Sequence, residues 1–146
     1  MTRSKRMERV TSHAENEQFQ ASTILAELQR HLHFQEARLA ELREYLLSYR
    51  QPIEGGGRSM QVYAYRDTLL FLDRLKQAIQ QQEDQVALAR TRYQQQLQLW
   101  HEKRARVKAM EKVSEQCRQV ERRALDKREQ KDTDDQVLGR MMHGVS

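Results

Sequence analysis

The sequence predicts an all-α fold, a long antiparallel coiled-coil hairpin of two helices with unequal arms. Three observations carry this. The 146 residues are rich in Ala, Glu, Lys, Leu, Arg and Gln, with 32% charged residues, 6% aromatic residues and one proline. Such side chains lose little rotamer freedom in a helix. Apolar residues recur at spacings of three and four on both sides of a single interruption, as a coiled-coil seam requires. That interruption, residues 51–59, holds Pro52 and the run Gly55, Gly56, Gly57. The proline has no N–H to donate, and the glycines free the backbone to reverse.

The chain divides into successive segments. Residues 1–9 form a basic segment with Arg3, Lys5, Arg6 and Arg9. Residues 10–50 are expected as the first helix. Its seam reads Ala14, Gln18, Ala21, Leu25, Leu28, Leu32, Gln35, Leu39, Leu42, Leu46, Tyr49 and Ile53, the last inside the turn. Residues 51–60 are the Pro/Gly turn, with Ser59 placed to cap the second helix. Residues 61–137 are that second helix. One heptad position there reads Tyr65, Leu72, Ile79, Val86, Tyr93, Trp100 and Val107. The companion stripe is expected at Val62, Leu69, Lys76, Glu83, Arg90, Leu97 and Arg104, where long charged stems cover a seam. After Val107 the apolar residues Met110, Val113, Cys117, Val120 and Ala124 suggest a slip of phase. Residues 138–146, with Gly139 and Gly144, are expected as a flexible tail.

The arms are about 65 Å and 115 Å long at 1.5 Å per residue. A reversal in the middle of the turn sets residue 10 opposite residue 101. The second helix then overhangs after about residue 105, and an isolated helix is marginal in water.

Composition excludes several chemistries. A lone cysteine, Cys117, makes no disulfide scaffold, and in the apolar stripe it reads as a small hydrophobe rather than a nucleophile. No run approaches the ~18 apolar residues of a membrane span, and no apolar segment follows the basic start, so a cytoplasmic location is expected. The three glycines lack the Lys-Ser/Thr of a phosphate loop. His31 and His33 fall on different sides of a helix, unlike metal ligands four apart. No catalytic residue, metal, cofactor or small-molecule substrate is expected. The formal charge is +5. Both signs are mixed along residues 121–129, as on a solvated helix face, which argues against nucleic acid as the main partner.

A second stripe, Phe71, Leu75, Ala78 and Gln82, lies roughly 100° around the helix from Leu72 and Ile79. Two readings stay open: a docking patch read at helical spacing, or a core widened under the first helix.

The ordered set Leu42-Arg43-Glu44-Tyr45, Tyr49-Arg50, a Gly-containing turn, Tyr65, Phe71-Leu72, Leu75, Ala78-Ile79, Trp100, Lys103, Arg106, Ala109, Glu129-Gln130-Lys131, Asp134-Asp135 and Arg140 resembles the FliJ family of flagellar export proteins. The resemblance spans residues 8–140. It implies a coiled-coil stalk of the flagellar type III export apparatus, similar to the two-helix part of the γ stalk in rotary ATP synthases. Implied partners are the hexameric export ATPase FliI, the cytoplasmic domain of the export gate FlhA, and export chaperones. The implied location is cytoplasmic, at the periphery of the inner membrane. Export-gate binding is implied for Phe71, Leu75, Ala78 and Gln82. The family's histidine at the last position is a glutamine here, which keeps hydrogen bonding and removes a possible charge. ATPase-ring binding is implied for Gln130, Lys131, Asp134 and Asp135. The alternatives are the virulence-type counterpart of the same machine, an unrelated coiled coil that self-associates through its overhangs, and a basic helical nucleic-acid binder.

Overall fold

The computed structural model describes residues 2–56 and 62–144. Two helices, α1 (Arg3–Gly56) and α2 (Val62–His143), pair antiparallel, and no strand occurs among the described residues. The helices exceed the expected bounds at three places. α1 starts at Arg3, inside the basic segment. It continues through Pro52 to Gly56, because a proline near a helix end removes one backbone bond and leaves the next turn able to form. α2 runs to His143, through most of the expected tail. The remainder of the turn, residues 57–60, and its proposed cap Ser59 lie outside the described residues.

Packing falls into two units, Gln20–His101 and Met1–Phe19 with Glu102–Ser146. The first has an apolar core. Leu32 and Leu39 of α1 pack with Leu75, Ile79, Val86 and Ala89 of α2, and Leu42, Leu46 and Tyr93 close over them. From Ala14 to Leu46 the α1 seam lies where the three-four pattern put it; Tyr49 is exposed, and the Ile53 side chain lies outside the described residues. Small Ala21 lets the helices approach, so Gln96 Nε2 reaches the Ala21 carbonyl at 3.2 Å. That carbonyl has a second lone pair beyond its helix bond. Trp100 Nε1 donates to Ser22 Oγ at 2.7 Å, which anchors the indole edge.

On α2 the heptad through Leu72, Ile79, Val86 and Val107 is buried as expected, but its companion is not. The second seam position is occupied by Leu75, Gln82 and Ala89, all buried, followed by the half-buried Gln96, Lys103, Met110 and Cys117. The expected companions lie at the rim. Glu83 meets Arg43 at 3.2 Å and Arg90 meets Glu36 at 3.5 Å. Charged heads stay there because water solvates them, and such exposed pairs add little stability.

In the other unit the seam is small and polar. Ser4, Thr11 and Ala14 of α1 are buried, as are Val107 and Ser114 of α2. The seven-residue spacing on α2 continues without a slip through Ser114 to Glu121, while Val113 and Val120 are exposed. Apolarity alone picks the wrong stripe here because the seam residues bury hydrogen-bonded hydroxyls instead. Ser114 Oγ accepts from Arg118 at 3.2 Å, and Thr11 Oγ1 donates to the Met7 carbonyl at 2.7 Å.

The register also differs from the expected one. Tyr49 meets Phe71 and Gln35 meets Gln82 in one unit; Glu17 meets Lys103 and Ser4 meets Glu121 in the other. Each α1 residue faces a point roughly two to four helical turns further along α2 than a reversal centred in residues 51–60 would give. The extension of α1 to Gly56 is the cause, since the chain reverses only beyond it. Contacts between α1 and α2 therefore extend to Glu121 rather than ending near residue 105.

Candidate functional site

Two regions present exposed residues among the described ones. The first surrounds the reversal. Tyr45, Leu47 and Tyr49 of α1 and Val62, Tyr63, Tyr65, Leu69, Leu70 and Phe71 of α2 are all exposed large hydrophobics. Tyr49 and Tyr65 continue the seam positions and are exposed there, while Tyr45, Leu47, Tyr63, Leu70 and Phe71 fall outside the stripes that heptad counting picks. Apolar exposure this dense is unusual for a surface that only meets water.

The four residues of the expected gate-docking stripe separate here. Leu75 and Gln82 are each 8% exposed and belong to the interhelical seam. Gln82 Nε2 donates to Gln35 Oε1 at 2.6 Å and to the Gln35 carbonyl at 3.0 Å. Ala78 is half-buried. Phe71 is 45% exposed, with its ring edge-on to Tyr49 at 5.0 Å between centroids. Of the two readings left open, the burial of Leu75 and Gln82 fits the widened core for these two side chains. The true companion position lies three residues after Leu72, not four, which brings both side chains under α1.

The second region is α2 beyond Glu121. Among the described residues, Gln130, Lys131, Asp134 and Asp135 are exposed and no hydrogen bond or ion pair joins them to α1. Their helix leaves α1 at a polar junction. The Ser4 backbone N–H donates to Glu121 Oε1 at 3.1 Å and its hydroxyl to Oε2 at 2.6 Å. A carboxylate from α2 thereby satisfies a donor in the first turn of α1, where the helix dipole also favours negative charge. Further along, Glu17 accepts from Lys103 Nζ at 2.9 Å, with Arg106 at 3.8 Å and His13 at 2.9 Å. Among the described residues no group of three or more His, Cys, Asp or Glu could hold a metal. Among the described residues no helix is long and apolar enough to cross a membrane.

Both carboxylates sit below their usual 4.5. For Glu17 the hydrogen bond from Lys103 is the larger cause, followed by the Lys103 charge; for Glu121 it is the Ser4 hydroxyl, followed by the Ser4 N–H. A depressed carboxylate stabilises the fold above its unfolded value and ceases to do so as pH falls through the folded value. Acidification below the ordinary carboxylate range is therefore expected to loosen residues 3–17 before the Leu32–Ala89 core. Amide exchange corrected for its intrinsic pH dependence checks this. Equal protection of both units throughout the acid titration would refute it.

The family model for the flagellar FliJ protein matches residues 3–144. The chain belongs to the FliJ family. No curated protein and no solved structure matches it. As a FliJ-family chain it is a coiled-coil protein related to flagellar export, and that family is in general a structural, non-enzymatic export component. The match covers both α1 and α2, including the unpartnered end of α2.

Proposed function

We propose that this FliJ-family chain is a stalk of the flagellar export apparatus that seats the unpartnered end of α2 in the ring of the export ATPase FliI and promotes ring assembly. The observation that carries this reading is the extent of α2. It runs to His143 although α1 begins opposite Glu121, leaving Gln130, Lys131, Asp134 and Asp135 exposed. A long helix is held in water by partners more than by its own propensity, and a ring lumen supplies them. The stalk acts without catalysis of its own, in the cytoplasm at the periphery of the inner membrane. The apolar surface around Phe71 supports docking to the cytoplasmic domain of the export gate FlhA, with export chaperones as further partners. In that contact Phe71 presents its face, Ala78 flanks it, and Leu75 with Gln82 hold the helix beneath.

The test titrates the chain into its cognate export ATPase and follows turnover together with ring formation by light scattering. Both should rise, and removal of residues 126–146 should abolish the rise. Unchanged turnover at concentrations well above micromolar would refute the ring reading. Phe71→Ala should weaken gate binding with helicity intact; undiminished gate binding would move the contact elsewhere.

A further inference from the structure

We propose that α2 beyond Glu121 is a self-complementary interface, through which two copies of the chain pair antiparallel. The first argument is continuity with the seam. The positions that α1 covers on α2 in this unit are Lys103, Val107, Met110, Ser114, Cys117 and Glu121, at spacings of four and three. The same repeat continues as Ala124, Arg128, Lys131, Asp135, Leu138 and Met142. α1 has ended by then, because Ser4 lies at Glu121. Leu138 is 58% exposed and Met142 79% exposed. The stripe that α1 covers thus carries on uncovered, and a second helix is the object it fits.

Charge selects the occupant and its direction. Residues 122–128 carry Arg122, Arg123, Lys127 and Arg128 against Asp126 alone. Residues 129–135 carry Glu129, Asp132, Asp134 and Asp135 against Lys131 alone. Parallel pairing of two copies would set like charge on like. Antiparallel pairing centred on Lys131 sets Lys127 against Asp135 and Arg128 against Asp134, each twice by symmetry, against the like pairs of Lys131 with its own copy and Arg122 with Arg140. The same register lays Leu138 over Ala124 and brings Met142 beside Val120. Val120 is exposed and lines a groove of about 320 Å³ with Arg3, Val113, Gln116, Cys117 and Glu121. The incoming helix, ending at His143, reaches the level of residue 119, so its last turn runs beside the first turn of α1. Only Leu138 and Met142 bring large apolar contact, so the pair is weak and depends on salt.

Sedimentation equilibrium of the full chain tests this. At low ionic strength and tens to hundreds of micromolar, roughly the range expected for a small polar interface, the mass should climb from the 17.5 kDa of one chain toward twice that. High salt should reverse the climb. Lys127→Asp with Arg128→Asp should stay monomeric, as should Asp134→Lys with Asp135→Lys. An equimolar mixture of the two variants should form the dimer that neither forms alone, a result that misfolding cannot produce. A monomeric wild type throughout, or variants that dimerise as the wild type does, overturns the proposal. Pairing and ring seating use the same segment of α2 and exclude one another at any one moment, but they are tested separately. A monomeric chain that still stimulates the ATPase removes the dimer alone, and a dimerising chain without stimulation removes the ring reading alone.

Discussion

Leu75→Ala is expected to cost about 2–4 kcal/mol of unfolding free energy, the range for truncating a buried leucine where the surroundings collapse only in part. Leu75 is 8% exposed and sits in one cluster with Leu32, Leu39, Ile79, Val86 and Ala89. Truncation removes its packing against the α1 leucines of that cluster. Phe71→Ala, one helical turn away, should cost under about 1 kcal/mol, since it forfeits only an edge contact with Tyr49 on a half-exposed ring. Urea unfolding followed by far-UV circular dichroism separates the two. Equal midpoints would mean that Leu75 belongs to the surface after all. A large loss for Leu75 means that reduced gate binding in a Phe71/Leu75 double variant reports a disturbed hairpin, so Phe71 must be tested singly.

The contrast between these neighbours marks where the sequence was legible. The α1 seam could be read directly because Leu25, Leu28, Leu32, Leu39, Leu42 and Leu46 repeat without rivals. One α2 position was equally plain, since all of its members from Tyr65 to Val107 are apolar. The other was masked by competition. Lys76, Glu83 and Arg90 lie beside the seam and mimic snorkelling core positions, while the true companion carries Gln82, Gln96 and Lys103. Polar seam residues look like surface until their partners are known, and Gln35, Ala21 and Glu17 come from 47 to 86 residues away. The junction at Ser4 and Glu121 was hidden for the same reason, and with it the true start of the overhang. Register depended on where α1 stops, and a proline near a helix end does not fix that. Of the implied site residues, Gln130, Lys131, Asp134 and Asp135 lie exposed on one segment, whereas the four around Phe71 divide between surface and seam.

Gln82 carries the other large effect expected of a single position. Gln82→Ala should cost about 1–3 kcal/mol, because it removes a buried side chain together with its two hydrogen bonds to the half-buried Gln35. Replacing both by leucine should reverse the sign. The paired Gln35→Leu, Gln82→Leu variant needs no polar partner, extends the core from Leu39 and Leu75 toward Val86, and should unfold at higher urea than the wild type. Stability gained this way is expected to lower specificity, since a buried polar pair fits only one alignment of the helices. With Gln35 slipped by one heptad, its amide would meet Leu75 or Ala89 and find no partner; a leucine there tolerates either. Spin labels at Arg38→Cys and Gln80→Cys, in a Cys117→Ser background, report the alignment. The wild-type pair should give one narrow distance distribution and the leucine variant a broader or second one. A single narrow distribution in both would show that the salt bridges from Arg43 to Glu83 and from Arg90 to Glu36, together with the Trp100–Ser22 bond, hold the register without the glutamines.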